Sequence, residues 1–149
     1  MPDTLVIRIV ALGAVAALTW LVVVAVRGYA SLRRRQTLAA APAPEMASTS
    51  GDAGVRVLAF SSEDCGPCHT LQRPALERLL GERSGQVSVV EIDAPTAPDL
   101  TRRYAVLTVP TTVVLDATGK ARAVNYGFAP TAKLLAQVDA ALGAQAIPA

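Results

Sequence analysis

From Ile9 to Val26 the chain reads IVALGAVAALTWLVVVAV, eighteen residues without a charge. At a helical rise of about 1.5 Å per residue this run spans roughly 27 Å, close to the ~30 Å hydrocarbon thickness of a bilayer. Leu5, Val6 and Ile7 extend it, and Arg8 lies near enough to its end to snorkel to the headgroups. A core helix of this length would show a polar face, and this run has none. The run therefore predicts one membrane-crossing helix over about 5–27 and leaves the rest of the chain to form a single domain. A cleaved signal needs a basic start, a shorter apolar core and a small-residue site just after it. The nearest such site, Ala39 to Ala41, lies beyond Arg33, Arg34 and Arg35 and is followed by Pro42. An uncleaved anchor is the favoured reading.

Charge divides the chain in the same place. Residues 1–35 carry five arginines against Asp3, a net +4, and residues 36–53 carry only Glu45 and Asp52. Residues 54–149 hold nine basic and nine acidic side chains, so the basic excess belongs to the anchor and not to the domain. Nothing on the folded part suggests a nucleic-acid surface. Arg27, Arg33, Arg34 and Arg35 follow the apolar run, whereas Arg8 and the α-amino group precede it. Basic flanks stay in the cytoplasm, which places the domain on the cytoplasmic side of a cell membrane. An extracytoplasmic domain stays open, because the same arginines suffice as a stop-transfer flank against anionic lipid.

Residues 36–53, QTLAAAPAPEMASTSGDA, lack aromatics and are rich in Ala, Pro, Ser and Thr. Such a stretch buries too little apolar surface to offset its ordering entropy and reads as a flexible linker. From residue 54 the pattern becomes that of a folded domain running to 149. VRVLAFS (55–61) is an apolar strand. CHTLQRPALERLLGE (68–82) is helical, with Leu71, Leu76, Leu79 and Leu80 on one stripe and a kink at Pro74. QVSVVEID (86–93) is a second strand and APDLTRRYAV (97–106) a short helix. TTVVLDATGKARAVNYG (111–127) makes two strands around a turn at 117–120. APTAKLLAQVDAALG (129–143) is a closing helix that stops at Gly143. The order β-α-β-α-β-β-α predicts an α/β sandwich around a mixed sheet, its first pair of strands parallel and its last antiparallel.

The two cysteines of the chain stand in SSEDCGPCH (61–69). Three chemistries fit a lone CxxC. Half of a zinc site would need further ligands, and only His69 is at hand. Two inert buried thiols would be core filler, an odd use of a Gly-Pro junction between strand and helix. A redox pair gives each residue a task. Cys65 would sit at a helix N-terminus, where free N–H groups and the dipole favour a thiolate. Pro67 falls in the first turn, where its missing N–H costs nothing. Cys68 lies one turn inward, within reach of a small disulfide ring. Cys65 would attack a substrate disulfide and Cys68 would displace the substrate thiol.

CGPC between a strand and a helix, together with YAVLTVPTTVVLD (104–116), resembles the thioredoxin superfamily over residues 54–143. Pro110 lies 45 positions after Cys65, a spacing similar to that of the family's cis-proline segment, and Gly119 and Gly127 fall at its turn glycines. The resemblance implies a thioredoxin-like fold and a disulfide oxidoreductase with Cys65 as nucleophile and Cys68 as resolving thiol. It implies a cis bond before Pro110, packed against the cysteine pair. Gly66, Pro67, Thr108, Val109 and Pro110 would form the motif and the substrate groove, the backbone of Thr108 and Val109 pairing with an extended substrate. Gly-Pro inside the motif resembles reducing members. Protein disulfides are the implied substrates and a thioredoxin-reductase-like enzyme or a membrane electron carrier the implied dithiol donor. No cofactor and no metal are expected.

The flanks depart from the family. Asp64 stands where an aromatic commonly precedes the first cysteine, and Ser61 where a tryptophan is frequent. Ala59 replaces a buried acid in the strand, and Val89 the lysine that accompanies it. Glu63 and Asp64 either oppose thiolate formation or are solvated loop residues; His69 either donates to the thiolate or faces water. The family's first β-α unit is replaced by the linker. These differences favour a membrane-tethered relative of narrower role over a general thioredoxin. The alternative is a tethered redox-sensing or binding module that uses the cis-proline groove without turnover.

Overall fold

Residues 3–39 and 54–144 are described by the computed structural model of the chain, and they belong to two compact units. The first ends at Arg35 and lies within a single helix, α1 (Asp3–Ala39). This helix is longer than the 5–27 expected from the apolar run. Leu32, the three arginines, Gln36, Leu38 and Ala39 all favour helix, and no proline occurs between Pro2 and Pro42, so none terminates it earlier. Residues 36–39, expected in the linker, are its last turn; 40–53 lie outside the described residues. Leu12–Tyr29 is long and apolar enough to cross a membrane, and every side chain in it is exposed, unlike that of a soluble core helix. A signal sequence near the N-terminus would pass the same test. The hydroxyl of Thr19, inside this window, donates to the Val15 carbonyl at 2.8 Å, which satisfies it without water.

The second unit is a four-stranded mixed sheet with helices on both faces, the predicted fold class. Its strands are β1 (Val55–Ser61), β2 (Val87–Asp93), β3 (Thr111–Leu115) and β4 (Ala121–Tyr126), in the order β2-β1-β3-β4. β1 and β2 are parallel, while β3 runs antiparallel to both β1 and β4. Central β1 and β3 are buried on both faces, which explains their near-continuous apolar sequences. Among the described residues β2 is an outer strand.

A π-helical turn (Cys68–Gln72) leads into α2 (Arg73–Glu82); a 3₁₀ turn (Ala94–Thr96) precedes α3 (Pro98–Arg103); α4 (Thr131–Gly143) closes the fold. One face of the sheet packs Val55, Val57, Ala59 and Val114 against Ala75, Leu76 and Leu79 of α2 and Leu134 and Val138 of α4. The other packs Leu58, Phe60, Val113 and Leu115 with Tyr104 at the end of α3, the Phe60 and Tyr104 rings 6.2 Å apart and tilted by 60°. Each fully buried Leu or Val contributes roughly 1.5–3 kcal/mol from area removed from water. Arg83 and Asp139 join the end of α2 to α4 through a two-pronged ion pair of 2.7 and 2.8 Å.

Three local expectations are corrected. Pro74 does not simply kink a continuous helix: lacking an N–H, it is met by the π turn just before it, where Arg73 N–H reaches back five residues to the Cys68 carbonyl. That added residue rotates the stripe. Gln72, Ala75, Leu76 and Leu79 face inward, whereas Leu71 and Leu80 are exposed. The helix expected over 97–106 ends at Arg103. Ala105 takes φ of 51°, and the N–H groups of Val106 and Ala105 bond the Thr101 and Arg102 carbonyls at 2.8 and 3.2 Å. That is a Schellman ending with alanine where glycine is usual. It turns the chain into the loop that carries Pro110.

The β3–β4 connection is organised by a buried carboxylate. Asp116 Oδ1 accepts from the Thr118 N–H, the Thr118 hydroxyl and the Lys120 N–H, and Oδ2 from Arg122 Nε at 2.6 Å. Gly119, at φ of 77°, supplies the left-handed residue the turn requires. Leu115 pairs with Ala121 and Val114 with Ala123, so Arg122 bulges out of the ladder and reaches back to Asp116.

Candidate active site

β1 ends at Ser61, and a tight turn follows in which Cys65 N–H bonds the Ser62 carbonyl at 3.1 Å. Gly66 and Pro67 open the helix, Pro67 with helical φ and ψ of −62° and −26°. Cys65 and Cys68 form a disulfide, S–S 2.01 Å with Cα atoms 5.3 Å apart. The Cys68 N–H points at Cys65 Sγ, 3.2 Å away. That donor, at the positive end of a helix, favours negative charge on Cys65 over Cys68. Both residues are buried, at 7% and 5% exposure.

The Val109–Pro110 bond is cis, as the resemblance implied, and Pro110 is buried. Pro110 and Cys68 line one small cavity of about 20 Å³. Thr111 Oγ1 donates to the Thr108 carbonyl at 2.7 Å, and Gly127 N–H to the Pro110 carbonyl at 2.9 Å, so the loop is held from both sides. Thr108 is exposed, and its carbonyl already has this one partner. Beside the loop lies an open groove of about 370 Å³, bounded by Ser62, Ala94, Pro95 and Val106 to Val109 and free of charged side chains.

The residues with open roles separate clearly. Glu63 and Asp64 are exposed in the turn. His69 is exposed and its Nε2 lies 3.1 Å from the Glu63 carbonyl, which sets Nε2 as the protonated nitrogen and ties the first turn to the loop ahead of Cys65. The ring bonds the loop and not a sulfur. Ala59 and Val89 both belong to the apolar core, so no ionisable side chain rises from β1 beneath Cys68. Tyr104, under the cis-proline side of the sheet, has its hydroxyl pKa raised by burial, with Arg103 pulling it down.

Gln72 was not singled out from the sequence. It is 3% exposed, its Oε1 accepting from the Ala129 N–H at 2.9 Å and its Nε2 donating to the Ala129 carbonyl at 3.3 Å. This pair clamps the π turn to the β4–α4 loop. A lone Gln among helical polar residues carries no such signal; only the rotation by the π turn brings it inside.

The thioredoxin family profile matches residues 47–140. A thioredoxin of Rhodospirillum rubrum is 32% identical over 89 residues, covering 60% of this chain and 84% of that one. A bifunctional thioredoxin reductase/thioredoxin of Mycobacterium leprae is 34% identical over 52 residues, 35% of this chain but only 11% of that longer one. Among solved structures, a chloroplastic thioredoxin z superposes with a TM-score of 0.56 at 31% identity, over 66% of this chain and 87% of that one. With a disulfide at its Cys-Gly-Pro-Cys sequence and the match across the whole sheet, the chain belongs to the thioredoxin family and is a thiol–disulfide oxidoreductase.

Proposed function

We propose that this chain is a membrane-tethered reductant of protein disulfides, anchored through residues 1–35 and acting through the domain that starts at residue 54. Reduced Cys65 attacks a substrate disulfide, and the mixed disulfide is resolved by Cys68, leaving Cys65–Cys68 oxidised. The observation that carries this reading is the Cys68 N–H aimed at Cys65 Sγ, 3.2 Å away, because it stabilises one thiolate of the pair and so gives the two cysteines different roles. A substrate segment would lie extended along the groove by Thr108 and Val109, with Gly66 and Pro67 on its other side. Backbone pairing there binds many sequences, and an uncharged groove favours small or apolar flanking residues. Oxidised protein is returned to the dithiol by an external donor. The Mycobacterium leprae relative, named for both activities, supports a thioredoxin-reductase-type donor; a membrane electron carrier is the alternative for an outward-facing domain.

The dithiol-dependent reduction of insulin disulfides tests the activity. Turnover by the wild-type chain should exceed that of Cys65→Ser by at least about a hundred-fold, the order by which losing an activated nucleophile costs rate. Equal turnover would mean a redox-sensing or binding module instead. The arginines after the apolar run support a cytoplasmic domain. In intact cells a membrane-impermeant thiol reagent should then leave reduced Cys65 unlabelled until the cells are opened. Labelling from outside would reverse the orientation.

A further inference from the structure

Resolving a mixed disulfide requires Cys68 to lose its proton, since the thiolate is the nucleophile. Cys68 is 5% exposed, and burial disfavours the charged form. The strand beneath it offers Ala59 and no base. The cavity against Cys68 has about 20 Å³, room for one water. Its titratable and charged lining consists of Cys68, His69 and Arg73 from the helix and Glu91 from β2. Glu63 and Asp64, in the turn ahead of Cys65, are exposed and do not line it.

Glu91 is placed there by register. It pairs with Ala59 across the parallel β1–β2 ladder, so both residues belong to the sheet face that carries α2. Arg73 is the residue whose N–H closes the π turn on the Cys68 carbonyl, and its guanidinium lies 3.5 Å from Glu91 Oε2. The carboxylate is about half exposed, so it meets the cavity on one side and bulk water on the other. His69 Nε2 is engaged by the Glu63 carbonyl.

We infer that Glu91 takes the proton of Cys68 through one water in this cavity and passes it to solvent, with Arg73 holding the carboxylate in place. The inference rests on the dithiol mechanism proposed above. In the step, Cys68 S–H gives its proton through the water to the Glu91 carboxylate. The Cys68 thiolate then attacks Cys65 Sγ, the Cys65–Cys68 bond forms, and the bond from Cys65 to the substrate sulfur breaks. The electron pair leaves with the substrate thiolate, which takes up a proton from water, while Glu91 returns its proton to solvent. The two electrons of the dithiol end on the substrate.

The test follows the full-length, reduced protein after mixing with an aromatic disulfide that releases one coloured thiolate at each step. In the wild type the first burst reports attack by Cys65 and the second resolution by Cys68. Glu91→Gln should leave the first burst unchanged and slow the second about ten-fold at neutral pH, the low end of general-base effects because solvent replaces part of it. Its second-phase rate should climb with pH and meet the wild type in alkali, where hydroxide deprotonates Cys68 directly. Glu91→Asp should recover part of the loss. A Glu91→Gln profile that superimposes on the wild type at every pH overturns the assignment, as does a loss carried instead by His69→Gln. A wild type without a second burst, or a Cys68→Ser variant that retains it, would sink the dithiol mechanism itself, a distinct failure.

Discussion

Cys68→Ser should stall the chain at the mixed disulfide. Turnover of insulin should fall by about a thousand-fold, while a covalent adduct with the substrate accumulates on Cys65. The magnitude follows from what Cys68 supplies. Its Cα is 5.3 Å from that of Cys65 within one helical turn, and well-oriented intramolecular partners reach effective molarities of about 10⁵ M or more, against millimolar for an external thiol. Even a small part of that advantage gives three orders of magnitude. The adduct should run as a shifted band on a non-reducing gel and vanish with dithiothreitol. Cys65→Ser should give neither adduct nor turnover, because the N–H that favours a thiolate points at residue 65. Adducts formed equally by Cys65→Ser would reverse the two roles.

The largest expected effect on stability lies away from the cysteines. Asp116→Ala should destabilise the domain by about 2–3 kcal/mol, the order of a broken buried ion pair with partly rescued partners. For a domain of this size that lowers the thermal midpoint by ~10–20 °C, readable by circular dichroism of the full-length protein. Asp116 is 4% exposed and its carboxylate serves four hydrogen bonds. Burial pushes its pKa up, but the bonds from Thr118, Arg122 and the N–H groups of Lys120 and Thr118 outweigh this and hold it below the usual carboxylate value. A depressed folded-state pKa contributes stability above the unfolded value of about 3.9 and loses it as pH falls through the folded one. The wild-type advantage should therefore be full at neutral pH and shrink only below about pH 4. A gap that narrows already between pH 7 and pH 5 would mean another group carries it.

The order of elements along the chain, the parallel first pair and the antiparallel hairpin were legible because β1, β2 and β3 are Val-rich apolar runs set off by turn residues. CGPC and VPT were legible because they are local: each needs only its own neighbours. What escaped depends on register or on a change of helical pitch. Leu71 looks like core in a 3.6-residue repeat, and Gln72 looks like surface; the π turn exchanges them. Glu91 reads as the exposed end of a strand, and only its pairing with Ala59 brings it to the cavity under Cys68. Ala105 gives no sign of left-handed backbone, since glycine or asparagine is the usual marker. The apolar run set a minimum length for α1, while the absence of a breaker before Pro42 set its end.

The outer position of β2 has a bearing on solubility. Among the described residues the far edge of β2 is unpaired, and an edge with Val87, Val89 and Val90 is a template for another copy of itself. Glu91 and Asp93, both exposed on that strand, set like charges along the edge. Edge-to-edge pairing would bring those carboxylates together and strip their water. The side chain inferred to move a proton would thus also oppose the zipping of two such edges into a common sheet.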